Sequence, residues 1–431
     1  MTTRPAFLAG WASIDITPTL PCWMGGYAAR TAPANAMYDL LSAHALAFGT
    51  RAQPLVVIIC DLVAVDEAMR HEVHAQVAKK HPNATVWLSA THTHSGPDVV
   101  RSLSRVSEPA DSAAIRACIL AGASHAAETA IARMHPVKGM WTSGEIKSIA
   151  TNRDHPDKSS SLTLDMLCFY DRDVQTGVEE RLAKPSALLA SFPCHPTVLG
   201  AENLALSADL PGAFRRHLHT LLGDDAWIAV ATGAAGDIST RHMRQGQDFD
   251  ELERLGELLA TQAYALLPLA QSFTLDLPHV HDTVVELEQK EPLVPETLAA
   301  YTASIQVRMR VEQQAGNMAH VRTLETVLQG LSAAQTRASM QAGQVRNVAV
   351  SAAILGDVAL LAVPGELYNA LGAAIKRGTE RFVLLLGYTN EYVGYIPTRE
   401  AYTELEYEVL MSPFAAGSGE RLVNVLKTLL T

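Results

Sequence analysis

Short unbroken apolar runs recur along the chain: "LVVIIC" (55–60), "ATVWLSA" (84–90), "SALLASF" (186–192), "AWIAVAT" (226–232), "VALLAVP" (358–364) and "FVLLLGY" (382–388). Each is strand length and bounded by turn residues, and none alternates as a half-exposed strand would, which predicts strands buried on both faces. Ala-rich segments of helical length, 65–80 and 112–133, lie between them. The pattern predicts an α/β fold: a mixed, largely parallel β-sheet core covered by helices. Residues 294–341 place apolar side chains at three- and four-residue spacings, interrupted by Gly316 and Gly330. That predicts a helical hairpin inserted in the fold, either a solvated helix pair or a gate over the substrate.

Composition narrows the function. With 431 residues, 48% of them hydrophobic, the chain can bury a large core, and a net charge of −11 excludes a nucleic-acid partner, because phosphate contacts require Lys and Arg. No apolar run approaches the roughly 20 residues of a membrane-spanning helix, so no integral membrane association is expected. The N-terminal apolar stretch meets Asp15 too early for a secretory signal, and the protein is expected to be cytoplasmic. Five cysteines with no C-x-x-C spacing argue against a disulfide framework or a Cys-type zinc site. They are expected to be mostly small buried apolar residues.

The chemistry gathers just beyond the strands, where open α/β sheets hold their ligands. After 84–90 come His92 and His94 in "THTHSGPD"; after 186–192 comes His195 in "PCHPT". The run 226–232 leads into the Gly-rich turn "TGAAGDIST" with Asp237 and Ser239, 358–364 leads to Glu366 in "PGE", and 382–388 leads to Tyr392 and Tyr395. Two histidines and one carboxylate form a common zinc set, which His92, His195 and Glu366 would supply. In extended backbone an H-x-H pair points both rings to one side. Each residue also has a plain structural use: a histidine bonded under a turn, a first-turn acid on a helix for Glu366, and a turn-capping hydroxyl for Ser239.

Read together, "ITPTLPCWMGGYA", "ATHTHSGP", "NR" (152–153), "HPT", "GDIS", "VPGE" and "NEYVGYIPTREAY…YE" stand in the order seen in the neutral/alkaline ceramidase family. The chain resembles that family over essentially its whole length outside 294–341. The family consists of zinc-dependent amidases that cleave the N-acyl bond of ceramide. The resemblance implies Zn2+ ligands at His92, His195, Glu366 and Tyr395. It places His94 and Arg153 beside the substrate amide, and Ser239, with Asp237 in the same element, in the catalytic group. It thus implies a zinc-dependent hydrolase acting on a carboxamide in a small N-acyl or ceramide-like compound. An esterase or lactonase on small acyl substrates is the alternative chemistry, and a silent ligand-binding homologue the alternative class.

Some positions depart from the family pattern. Asp98 and Val99 replace a usual glycine pair and are expected to narrow or polarise the site. "GDISTR" replaces the commoner "GDVSPN" and brings Arg241 near the mouth. The chain ends shortly after the Y-x-x-Y segment, so residues 1–431 are expected to be one catalytic domain without the family's C-terminal immunoglobulin-like domain. With an acidic net charge, no membrane-spanning run and no appended domain, a small N-acyl substrate is expected rather than a bilayer lipid.

Overall fold

The apolar runs become the outer strand pairs of two facing sheets, both ends of the larger and one end of the smaller. The computed structural model describes residues 7–100, 112–157, 162–171, 184–336 and 344–431. The larger sheet contains β1 (Leu8–Asp15), β2 (Ser42–Gly49), β3 (Pro54–Cys60), β4 (Thr85–Ala90), β5 (His135–Glu145), β6 (Thr163–Asp171), β7 (Ala187–Phe192) and β8 (Trp227–Thr232). Its lateral order is β8-β7-β6-β5-β1-β2-β3-β4, with Gln271–Ser272 added against β5. The smaller sheet runs β9 (His279–Glu288), β10 (Val345–Leu355), β11 (Val358–Ala362) and β12 (Phe382–Leu386) in that order.

The architecture is mixed α/β, as expected, but the emphasis on parallel pairing is corrected. The pairs β3/β4, β7/β8 and β11/β12 are parallel, whereas the centre of the large sheet and the rest of the small one are antiparallel. The parallel pairs are the strands with unbroken apolar runs. The antiparallel ones, such as β9 with its alternating "HVHDTVVELE", carry polar residues that hid them in the sequence.

Burial on both faces explains those runs. Along β3, Leu55, Val57 and Ile59 point between the sheets, where they join Trp87, Leu189, Leu360 and Leu384. The intervening Val56, Ile58 and Cys60 point outward under α1 (Glu67–Ala78) and α2 (Ser112–Ala132). The other half of the large sheet is covered by α3 (Asp209–Leu222) and α4 (Phe249–Leu266) through Phe214, Leu218, Leu252 and Leu255.

The inserted hairpin is present as α5 (Pro295–Gln314) and α6 (Met318–Thr336), and the end of the expected span, 337–341, lies outside the described residues. The small sheet's outer face packs on α7 (Asn369–Lys376) and, beyond the short α8 (Tyr407–Met411), on α9 (Ser418–Leu429). The layers are therefore α/β/β/α. The hairpin core of Leu298, Ile305, Leu324, Val327 and Leu331 is closed by Leu410 of α8. No described helix is long and apolar enough to cross a membrane. All five cysteines are free and all but Cys118 are buried.

One buried ion pair ties α3 to the sheet. Asp61, immediately after β3, accepts both arms of the Arg215 guanidinium at 3.1 and 2.8 Å and the Ser42 N–H at 3.0 Å. Burial pushes its carboxyl up, but Arg215 and His44 outweigh that and bring it from the ordinary 3.8 down to about 2. A depressed carboxyl stabilises the fold above its unfolded pKa and loses that contribution as pH falls through the folded value. We therefore expect Arg215→Ala to lower unfolding free energy by about 3–5 kcal/mol in denaturant titrations, by stranding a buried charge. The parent should lose stability as the pH falls from near 4 towards about 2.

Candidate active site

Segments following β4, β7, β8, β11 and β12 converge in one buried hollow where the two sheets meet. The ends of β4 and β12 are sewn together: Ser89 bridges Thr389, Asn390 N–H donates to Leu88 O at 2.6 Å, and Leu88 N–H donates to Asn390 Oδ1 at 3.0 Å. His92, Tyr388 and Asn390 all take positive φ (66°, 54° and 69°), a backbone region costly for residues with a side chain. The positive φ at His92 replaces the extended H-x-H backbone expected from sequence. The two rings still converge, with His92 Nε2 and His94 Nε2 3.3 Å apart.

Main-chain carbonyls fix the imidazoles. His92 Nδ1 lies 2.5 Å from Val63 O and His195 Nδ1 lies 2.6 Å from Ala235 O. A carbonyl only accepts, so each ring carries a proton on Nδ1, and in the neutral form Nε2 is the nitrogen left to ligate. Those nitrogens face Glu366 Oε2, at 3.4 Å from His92 and 2.8 Å from His195. His92, His195 and Glu366 are each at most 2% exposed. Glu366 is further held by the hydroxyl of Tyr392 on Oε1 and by that of Tyr388 on Oε2 at 3.4 Å. Gly365 makes the approach possible: its φ is +139°, and a Cβ there would stand 2.6 Å from Gly394 O.

Lone pairs that converge in this way suit a cation. His92, His94 and His195 offer ring nitrogens all within 4.8 Å of one another, so the described residues contain a group able to hold a metal ion. Bonds of about 2.0–2.1 Å to a tetrahedral zinc would separate the ligands by about 3.3 Å, close to the His92–Glu366 spacing. An Nδ1–H on a backbone carbonyl is also the usual support of a ligating histidine. His94 differs, for its Nδ1 is buried without a partner. Burial, followed by His92 and His195, holds His94 well below the ordinary histidine value, and burial with Arg153 pushes His195 down to about 4. Burial pushes the Glu366 carboxyl up, but His92 and His195 hold it well below the usual range.

The other residues singled out in the sequence stand around this centre. Tyr395 pairs with Glu366 through the backbone, and its ring lies parallel to that of His195 with centroids 6.3 Å apart. The Arg153 guanidinium sits 5.4 Å over that ring, donates to Gly236 O at 2.6 Å and pairs with buried Glu408 at 2.5 Å. Ser239 bridges His195 along the backbone, and its Oγ accepts the Arg241 N–H at 3.3 Å. Asp237 acts as a brace: its carboxylate takes Asn369 N–H at 2.7 Å and Asn152 Nδ2–H at 2.9 Å. Burial pushes that carboxyl up to about 6.

Sequence reasoning did not reach Tyr388, whose ring stacks on His92 at 4.0 Å, nor Tyr27, which stands edge-on to His94 at 4.8 Å. Tyr388 is hidden as the last letter of an apolar run, and Tyr27 lies far upstream in a loop.

The fold and site define a four-layer α/β protein with a buried histidine–carboxylate centre at its strand ends. Residues 7–226, about half the chain, match the family model described as neutral/alkaline non-lysosomal ceramidase, N-terminal, and the chain belongs to that family. The matched span carries His92, His94, Arg153 and His195. The neutral ceramidase of Pseudomonas aeruginosa is 24% identical over 426 residues, an alignment covering 85% of this chain; the chain spans 63% of that relative's length. The crystal structure of that ceramidase superposes with a TM-score of 0.73 at 19% identity, over 98% of this chain and 74% of the other. A ceramidase complexed with C2 gives the same values. At this identity the likeness establishes the fold.

Gly26 supplies the space for His94: its φ is +95°, and a Cβ there would lie 2.4 Å from His94 Cγ. Gly26→Ala is expected to displace that ring and lower catalytic activity by about 10²-fold, the penalty of a misplacement near 1 Å. The far-ultraviolet circular dichroism of the variant should match the parent's.

Proposed function

We propose that the chain is a zinc-dependent amidohydrolase cleaving the N-acyl bond of a small N-acyl or ceramide-like compound. The observation that carries this reading is the meeting of two imidazole nitrogens, His92 Nε2 and His195 Nε2, with the Glu366 carboxylate in a buried hollow. Membership of the ceramidase family supports an amide as the bond cleaved. His92, His195 and Glu366 would hold the zinc, with Tyr395 beside His195 completing the set. When bound, zinc supplies an activated water, lowering its pKa to about 7, and polarises a carbonyl.

The chain's own groups divide the remaining work. His94 faces the centre through Nε2 and is the residue to take a proton and pass it to the leaving amine. Arg153, held by Glu408 and Gly236 O, brings a fixed positive charge to the side where the carbonyl oxygen becomes negative. Among the described residues no imidazole or carboxylate bonds Ser239 Oγ, which accepts only a main-chain N–H. That favours a hydroxyl donating to the developing oxyanion over an activated nucleophile. Asp237 positions the loops that carry Arg153 and Ser239. The hairpin α5–α6 is read as part of this catalytic unit, since Thr326 of α6 meets Arg241 of the loop that carries Ser239.

Elemental analysis of the purified protein, paired with acid release from N-acyl substrates and their matched esters, tests the reading. We expect about one zinc per chain, amide hydrolysis that ends with chelation, and loss of both metal and activity in His195→Ala. Ser239→Ala should keep its zinc while its rate falls about 10²- to 10³-fold. Amide hydrolysis undiminished after metal removal would overturn the assignment. Faster cleavage of esters than of matched amides would make the enzyme an esterase.

A further inference from the structure

One wall of the hollow carries charge that the proposed hydrolysis does not use. Arg241 leaves the backbone two residues beyond Ser239 and turns under the hairpin, where its Nη2 donates to Thr326 Oγ1 of α6 across 3.4 Å. Its Nη1 is buried with no hydrogen-bond partner. Arg30, only 8% exposed, gives Nη1 to the carbonyls of His94 at 2.9 Å and Gly25 at 3.2 Å, while its Nε and Nη2 are buried and unpartnered. Arg244 gives Nη1 to Thr197 O. Arg30 lies 5.2 Å over the ring of Tyr27, which stands edge-on to His94 and donates to Leu199 O, two residues from the Thr197 carbonyl that Arg244 holds, so these groups share one side of the reacting centre.

The described acids that act on them, Glu408 and Asp154 on Arg241 and Asp209 on Arg244, do so from beyond ion-pair distance. Among the described residues none of the three has a carboxylate ion pair, in contrast to Arg153 with Glu408. Of these acids, Asp209 is committed to the main-chain N–H groups of Val198, Leu199 and Leu210, and Glu408 is paired with Arg153. Burial lowers the basicity of Arg30, Arg241 and Arg244 alike. A protein of net charge −11 thus holds, near its histidines, three guanidinium groups that no described carboxylate pairs directly. Buried cations without counter-ions are costly, and a bound anion removes that cost.

We propose that this wall is a carboxylate subsite: the substrate is an N-acyl compound bearing a carboxylate, which Arg241 grips, with Arg30 and Arg244 as flanking charges. The inference rests on the reading of the site as an N-acyl hydrolase and names its substrate class. The free Nη1 and weakly engaged Nη2 of Arg241 form one edge of a guanidinium fork, the geometry that matches a planar carboxylate. A neutral substrate such as ceramide would leave all three cations as they stand.

The test uses the metal-loaded protein with N-dodecanoylglycine and its neutral partner N-dodecanoylglycinamide. N-hexylglutaramic acid, which carries its carboxylate on the acyl side, reports which half of the substrate the wall holds. Binding is measured in parallel by calorimetry with the non-cleavable ketones in which a methylene replaces the amide nitrogen, one ending in a carboxylate and one in a carboxamide.

We expect kcat/KM to favour a carboxylate substrate over the neutral one by about 10- to 10²-fold, the effect of hydrogen bonds to a charged group. The carboxylate ketone should bind tighter by a similar ratio. Arg241→Gln should collapse both ratios and Arg241→Lys should restore part of them; Arg244→Gln, at a more exposed position, should reduce them if the first variant does not fold. Equal binding of the two ketones, or ratios unchanged in the variants, would overturn the subsite. If neutral amides are cleaved at the same time, the hydrolase reading survives that failure. If no amide is cleaved yet the carboxylate ketone binds through Arg241, the subsite stands and the hydrolase reading falls.

Discussion

The site depends on the hydrogen-bonded seam between the ends of β4 and β12. Each of those strands is the edge of its own sheet, and apolar contact alone would let the two sheets slide. The exchange between Leu88 and Asn390, reinforced by the hydroxyls of Ser89 and Thr389 at 3.0 Å, removes that freedom. It also compensates the unfavourable backbone at Tyr388 and Asn390, whose main chains take part in it through Ala90 N–H on Tyr388 O and Asn390 N–H on Leu88 O. With the edges locked, the histidines from the larger sheet and the glutamate from the smaller one face each other, and Tyr388 becomes a platform for His92.

The hollow treats its charges in two ways. Arg153 is matched at once by Glu408, so it is part of the frame, and its orientation over Tyr395 is fixed by a carboxylate and a carbonyl. Arg241, in the loop that follows Ser239, has a hydroxyl at long range and a bare nitrogen. Both are arginines near the same centre, yet only one has its counter-charge built in. The difference lies in their surroundings: α8 brings an acid to Arg153, while the hairpin brings a threonine to Arg241.

Much of this was legible in the chain before any coordinates. The strands that end at the site are those buried on both faces, so their unbroken apolar runs betrayed them, and the polar residues immediately beyond included His92, His195 and Glu366. The strands that fill the centre of the large sheet were hidden because they mix small, polar and aromatic positions; β2 reads "SAHALAFG" and carries the buried His44. Tertiary pairing rather than local pattern makes them strands. The resemblance supplied Arg153, which spacing alone could not have joined to the histidines, and a ligand's role for Tyr395. The uses of Arg30, Tyr27 and Gly26 depend on a loop folding back against His94, and a loop leaves no periodic trace in sequence.

The seam also dictates when the site can come into being. Ser89 and Thr389 are 300 positions apart, and His195 and Glu366 are 171 apart. Contacts so distant in the chain form only after long loops have closed, and during synthesis from the N-terminus the early half waits for its partner. A nascent chain that has emerged through β8 holds three of the histidines with nothing opposite them. The centre is completed by the last sheet to be made, so the ability to bind is conferred at the end of folding, when the core that must support it is already closed.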